Sequence, residues 1–347
     1  MASLGAAFDQ KRNSLNALRL LLATLVIVSH SWPIGGYGAD PGDGDLTLGG
    51  WAVAGFFAIS GYLITGSRLH SHSLLDYLWR RILRIYPAFV VVLVLVAFGF
   101  APLSVVVSGA GSWSPIEAWG YVWSNLGIRI TQFGIPGTLS STPFPDAWNG
   151  SLWTLWYEFL CYLAVGFLVS ILPAKLLGLA ALVATIGSSA AARISRDLSL
   201  PDTVVNASTL GGYFAAGALM YCYRDKIPLK WYLAALAAAL TLAAGATSSF
   251  RMAAALPVAY LMMWLGVRLP LHRVAAQNDI SYGMYIYAFP VQQFLAVVGL
   301  GMVLPVWGFV GLSILLTVPF ACLSWFLVER PGMRFKSLTQ RRGVVVG

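Results

Sequence analysis

Apolar runs of about twenty residues recur along this chain, parted by short stretches that carry nearly all of its charge. A helix of roughly 20 apolar residues spans the hydrocarbon core of a bilayer, so this one feature removes most soluble folds from consideration. Ten runs are read, at about 15–36, 47–67, 85–106, 150–171, 174–192, 204–223, 230–248, 252–268, 280–300 and 303–328. Composition agrees: 58% of the 347 residues are hydrophobic and only 10% charged, against about 25% charged in soluble domains. The expectation is an all-α membrane protein of about ten transmembrane helices, with no extra soluble domain.

Charge sets the orientation. With the N-terminus in the cytoplasm, 17 of the 22 Lys and Arg fall in inner segments, and only Arg129, Arg193, Arg196 and Arg251 fall outside. That bias follows the positive-inside rule and predicts that both termini are cytoplasmic. The net charge of +9 is spread over short loops, which favours anionic lipid headgroups over nucleic acid as its partner. Cys161, Cys222 and Cys322 lie inside apolar runs as small hydrophobes, with no disulfide framework and no metal spacing. His70 and His72, in "HSH", are two ligands short of a metal site. The N-terminus lacks the pattern of a cleaved secretory peptide, so the first span is expected to stay.

Between the second and third runs stands "GYLITGSRLHSHSLLDYLWRRILRIYPAFVV". Positive-inside anchoring accounts for Arg80, Arg81 and Arg84 as charges, and Pro87 fits the first turn of the following span. Anchoring does not account for the spacing. Arg81 and Arg84 are i, i+3 and share a helical face, where two guanidiniums form a fork suited to phosphate.

Ionisable residues within the spans are few, and such groups mark pathways or sites. Arg19 and His30 are eleven residues apart on the first helix, about 20° past three full turns and roughly 16 Å along the axis, so both project from one face. Alone, each reads equally well as a snorkelling arginine or a satisfied core histidine. Glu158, in "NGSLWTLWYEFLCYL", lies at a depth resembling that of His30. It is read as an orienting partner of the imidazole or as a structural hydrogen-bond acceptor. Ser60, before Gly61 in mid-helix, and Tyr282 with Tyr285 at i, i+3 are candidates for a substrate or pore lining, as is Trp153. Close helix packing and an interfacial aromatic belt explain the same residues. Segment 107–150 is the longest loop and is rich in aromatics. It suits sugar surfaces or interfacial anchoring equally.

These pieces resemble the integral-membrane acyltransferase 3 family. The stretches that carry the resemblance are "RLLLATLVIVSH", "GFFAISGYLI", "RRILRIYP", "SLWTLWYE", "SYGMYIYAFP" and "FLVERPG", in family order from about Asn13 to Arg334. The resemblance implies a ten-helix domain over 13–334 with a basic cytoplasmic tail at 335–347, without a fused extracytoplasmic esterase-like domain. It implies His30 as the catalytic histidine, Arg19 as its partner and Glu158 as the family's acidic position. It links Arg81 and Arg84, with Arg80 beside them, to coenzyme A. One position departs: many relatives carry histidine in the ninth span where this chain has Ala288.

The expected activity is transfer of an acyl group, acetyl first among them, from cytoplasmic acyl-CoA to a hydroxyl of an extracytoplasmic or membrane-associated acceptor such as a glycan. The setting expected is the bacterial inner membrane, with no metal. His30 would act as general base or carry an acyl-histidine. The rival reading is a proton-coupled solute transporter built on the same ionisable groups.

Overall fold

The computed structural model describes residues 3–43, 46–145, 147–246 and 254–339. Asp45, Asp146, Arg251 and the last part of the basic tail, 340–347, lie outside the described residues. Among those described, ten helices have 14 residues or more. In chain order they are α1 (Leu15–Gly35), α2 (Leu48–Leu69), α3 (Leu74–Leu95), α4 (Trp153–Ile171), α5 (Ala174–Asp197), α6 (Asp202–Cys222), α7 (Trp231–Ala246), α8 (Ala255–Arg268), α9 (Ser281–Val297) and α10 (Val306–Ser324). The described extended structure is one antiparallel ladder of two residues a strand, Gly42–Asp43 with Leu46–Thr47. Among the described residues, six helices are long and apolar enough to cross a membrane: α1, α2, α4, α5, α3 with its continuation to Ser108, and α10 with its continuation to Leu338.

The helix ends follow local chemistry. Gly36, at φ 79°, takes the left-handed conformation that closes α1. Thr47 caps α2 by accepting from the Gly50 amide at 3.1 Å, and Ser73 caps α3 by accepting from that of Asp76 at 3.1 Å. The third span therefore starts at Leu74, not near 85. Its amphipathic first turns, "LLDYLWRRILR", are helix continuous with the apolar part, and Pro87 lies inside the helix rather than in its first turn. A π-helical turn at Val96–Phe100 carries α3 on to Ala101–Ser108.

The loop expected to present aromatics is instead partly core. It contains a helix, Pro115–Asn125, and Trp148 is fully buried with its indole N–H donated to Thr138 Oγ1 at 2.8 Å. Tyr121 is buried too, whereas Trp119 and Trp123 are exposed.

Helix α9 is the centre of the bundle. Every residue from Ser281 to Gln293 is buried, with α1 and α10 against it. Pro290 lacks an N–H, so the Ile286 carbonyl loses its helical donor. The Asn149 side-chain amide supplies it at 2.8 Å. On the other side of α1, α2 crosses α6 at Gly61 and Gly217. A Cβ on Gly61 would overlap the Phe214 carbonyl, and one on Gly217 would overlap that of Ala58. Only glycine permits so close a backbone approach.

Candidate active site

At one end of the bundle, four charged side chains from distant parts of the sequence meet. Arg19 Nη1 donates to Asp279 Oδ2 at 2.9 Å, and Arg84 Nη2 donates to the same oxygen at 2.6 Å. Arg84 Nη1 donates to Glu329 Oε2 at 2.9 Å. Ser281 and Ser324 hydroxyls donate to Asp279 and Glu329, and the Arg84 guanidinium lies near the Tyr282 and Trp325 rings. Two cations and two anions balance, as burial requires. Burial alone would raise the Asp279 carboxyl, but the Arg19 and Arg84 charges outweigh it and hold it below the usual carboxylate range.

This cluster changes the reading of the arginine knot. Both terminal nitrogens of Arg84 are held by carboxylates, so Arg81 and Arg84 do not present a joint open fork. Arg80 pairs with Asp76 at 3.0 Å. Arg81 makes one long hydrogen bond, Nη2 to Ser67 Oγ at 3.3 Å, and its buried Nε has no partner. Asp279 stands two residues before the motif "SYGMYIYAFP", and Glu329 lies within "FLVERPG". Their signal was acidity beside the basic segments, where acids are few.

Above the cluster lies a cavity of about 40 Å³, bordered by Arg19, Ser60, Glu158, Tyr282 and Tyr285. Space of that size suits a few water molecules. Glu158 Oε1 accepts from Ser60 Oγ at 2.8 Å and from Tyr162 OH at 2.6 Å. Tyr282 OH reaches the Ile85 carbonyl at 3.0 Å, joining α9 to α3.

A second cavity of about 270 Å³ adjoins the first and contains His30 and Trp153 in its wall. Val53, Thr154 and Tyr285 border both spaces and form the partition between them. Thr154 and Tyr285 hydroxyls share a hydrogen bond of 2.7 Å, and Tyr285 OH donates to the Ser151 carbonyl at 3.0 Å. Arg19 and His30 thus share a face of α1 but open into neighbouring cavities. Glu158 is one turn beyond Thr154 on α4, on the Arg19 side of the partition. It hydrogen-bonds Ser60 and Tyr162 rather than orienting the imidazole.

His30 is placed by its helix neighbours. Gln292 Nε2 donates to the Ile27 carbonyl and to Ser31 Oγ, both at 2.8 Å, clamping α1 to α9 on either side of it. The ring meets Phe289 edge to face at 5.2 Å. Phe289 in turn lies against Gly150, where an added Cβ would be 2.6 Å from its ring. Among the described residues, no side chain hydrogen-bonds the imidazole, so its nitrogens are not committed to the fold. Ala288, at the departing ninth-span position, is buried in the core of α9. Among the described residues, no three His, Cys, Asp or Glu are grouped to hold a metal.

A bundle of apolar helices long enough to cross a bilayer, with buried ion pairs and a partitioned polar interior, is that of an integral-membrane protein. The particular family follows from comparison. Residues 12–328 match the acyltransferase domain model of the acyltransferase 3 family, and the chain belongs to that family. It is 32% identical over 337 residues to a protein of Shigella phage Sf6 named O-acetyl transferase, across 92% of this chain and 96% of that one. It is 31% identical over 367 residues to nodulation protein 10 of Rhizobium leguminosarum bv. viciae, across 95% of this chain and 96% of that one. No solved structure matches the chain significantly.

Proposed function

We propose that the protein is a membrane O-acyltransferase. It takes an acyl group, acetyl in the simplest case, from acyl-CoA at its arginine end and delivers it to a hydroxyl, such as that of a glycan, at its His30 end. The single observation supporting this reading is the stacking of two cavities along one bundle, an ionised one and one containing His30, parted only by Val53, Thr154 and Tyr285. The concentration of basic residues supports a cytoplasmic arginine end, with both termini on that side and ten crossings of a bacterial inner membrane.

In this mechanism Arg81 takes the donor's phosphates, with Arg80 beside it, because its donors are the least committed of the three. Arg84 and Arg19 stay paired and hold the inner end of α1 against α3 and α9. The 40 Å³ cavity is too small for an extended pantetheine arm, so the donor enters by parting the Thr154–Tyr285 hydrogen bond. At the partition the thioester carbonyl meets the acceptor. His30 accepts the hydroxyl proton as the oxygen attacks the carbonyl carbon, and the C–S bond breaks with the thiolate as leaving group. Glu158 holds Ser60 and Tyr162 along the route.

The test uses sealed inside-out vesicles given labelled acetyl-CoA outside and envelope glycan in the lumen. Wild type should label lumenal glycan, and His30→Ala at matched protein level should lose at least about a hundredfold in rate, the scale of general-base catalysis. Wild-type-like turnover by the variant removes His30 from the chemistry. Equal labelling with both substrates on the arginine side removes the through-membrane route. A proton-coupled transporter would move solute and leave the glycan unlabelled.

A further inference from the structure

The cavity containing His30 is bounded on its far side by α6, whose residues no motif had singled out. Asn206, Thr209 and Tyr213 come from that helix, spaced so that they share a face. Asn206 lies beside Tyr157 of α4. Thr209 Oγ1 and, across the cavity, Ser151 Oγ are buried hydroxyl oxygens without a protein partner. Buried polar groups are rarely left so without a reason connected to a ligand or to strain. Trp153 contributes an indole to the same wall and is itself set edge to face by Tyr157 at 5.6 Å.

A wall of hydroxyls, an amide and the Arg196 guanidinium among the rings of Trp153, Tyr213 and Tyr285 has the chemistry that recognises a carbohydrate. The indole offers its face to C–H groups, while the polar side chains exchange hydrogen bonds with ring hydroxyls. The volume of about 270 Å³ falls just below the roughly 300–1,000 Å³ range of ligand sites, enough for one ring and not for an oligosaccharide. Any longer chain would extend out of the mouth.

We infer that this cavity is the acceptor subsite, in which Ser151, Asn206 and Thr209 bind hydroxyls of a single sugar ring packed on Trp153, leaving one further hydroxyl turned to His30. The inference rests on the acyl-transfer reading, its glycan acceptor included, and deepens it by naming the residues that select that acceptor. The three polar residues are positioning groups for the acceptor, distinct from His30, which touches the reacting atoms.

Two measurements test it, one independent of turnover. Saturation-transfer NMR on the detergent-solubilised full chain reports binding of a panel of methyl glycosides. Wild type should show transfer to at least one member, and Thr209→Val and Ser151→Ala should each lose most of it, while Thr209→Ser keeps it. With radiolabelled acetyl-CoA in membranes, Thr209→Val and Asn206→Ala should raise the KM for the same glycoside at least tenfold, with the KM for acetyl-CoA within twofold. Glycoside binding that Thr209→Val and Ser151→Ala leave intact overturns the assignment, as does a rise in both KM values together. Binding of no glycoside by wild type overturns the carbohydrate class. Glycoside binding lost in the variants, but with no labelled product from wild type on any acceptor, upholds the subsite and overturns acyl transfer.

Discussion

Arg81 and Arg84 stand three residues apart on one face of α3, yet they differ in what their nitrogens are free to do. Replacing Arg84 by lysine removes one of two carboxylate bonds and leaves a buried acid short of a partner, so its effect is on stability. Replacing Arg81 by lysine keeps the charge and loses only the planar donors. Arg81→Lys should therefore weaken acetyl-CoA binding about tenfold by calorimetry with little change in melting temperature. Equal affinity would return Arg81 to an anchoring role. The shared face was legible from the i, i+3 spacing. The unequal commitment was not, because the carboxylates that hold Arg84 lie 195 and 245 residues further along the chain, and no local pattern reports a contact at such separation.

At the level of elements, the helices were legible as apolar runs, and among the described residues six of them are long and apolar enough to cross a bilayer. What ran past the reading was amphipathic: the first three turns of α3 look like a charged loop when only hydropathy is followed. Glu158 kept two readings in the sequence, orienting partner or structural acceptor, since depth along a helix does not say on which side of a partition from another helix a side chain falls. Ser60 was legible as a residue of a close crossing, and the structure adds why it matters. Gly61 and Gly217 bring α2 and α6 into backbone contact, which sets the position of Ser60 against Glu158. Gly61→Ala must push the helices apart at a cost of about 1–3 kcal/mol. It should lower the melting temperature in detergent and reduce acyl transfer several-fold by loosening the 2.8 Å Ser60–Glu158 bond. An unchanged melting temperature would mean that the crossing relaxes without strain.

At the scale of the whole molecule, the partition of Val53, Thr154 and Tyr285 has an electrical consequence. In the proposed reaction the acyl group leaves sulfur as a formal cation equivalent, and the thiolate regains its proton on the arginine side. The proton taken by His30 begins on the other side, and its way back to sulfur leads through the Thr154 and Tyr285 hydroxyls of the partition. If it departs by the mouth of the His30 cavity, each turnover carries one positive charge outward through the membrane. Against an inside-negative potential that movement costs about 2.3 kcal/mol per 100 mV, so 100 mV imposed on proteoliposomes with a potassium gradient should slow transfer by up to about fiftyfold. A rate indifferent to voltage would instead mean that the proton crosses to sulfur. The enzyme would then be an electrical load on the membrane in the first case, and electrically silent in the second.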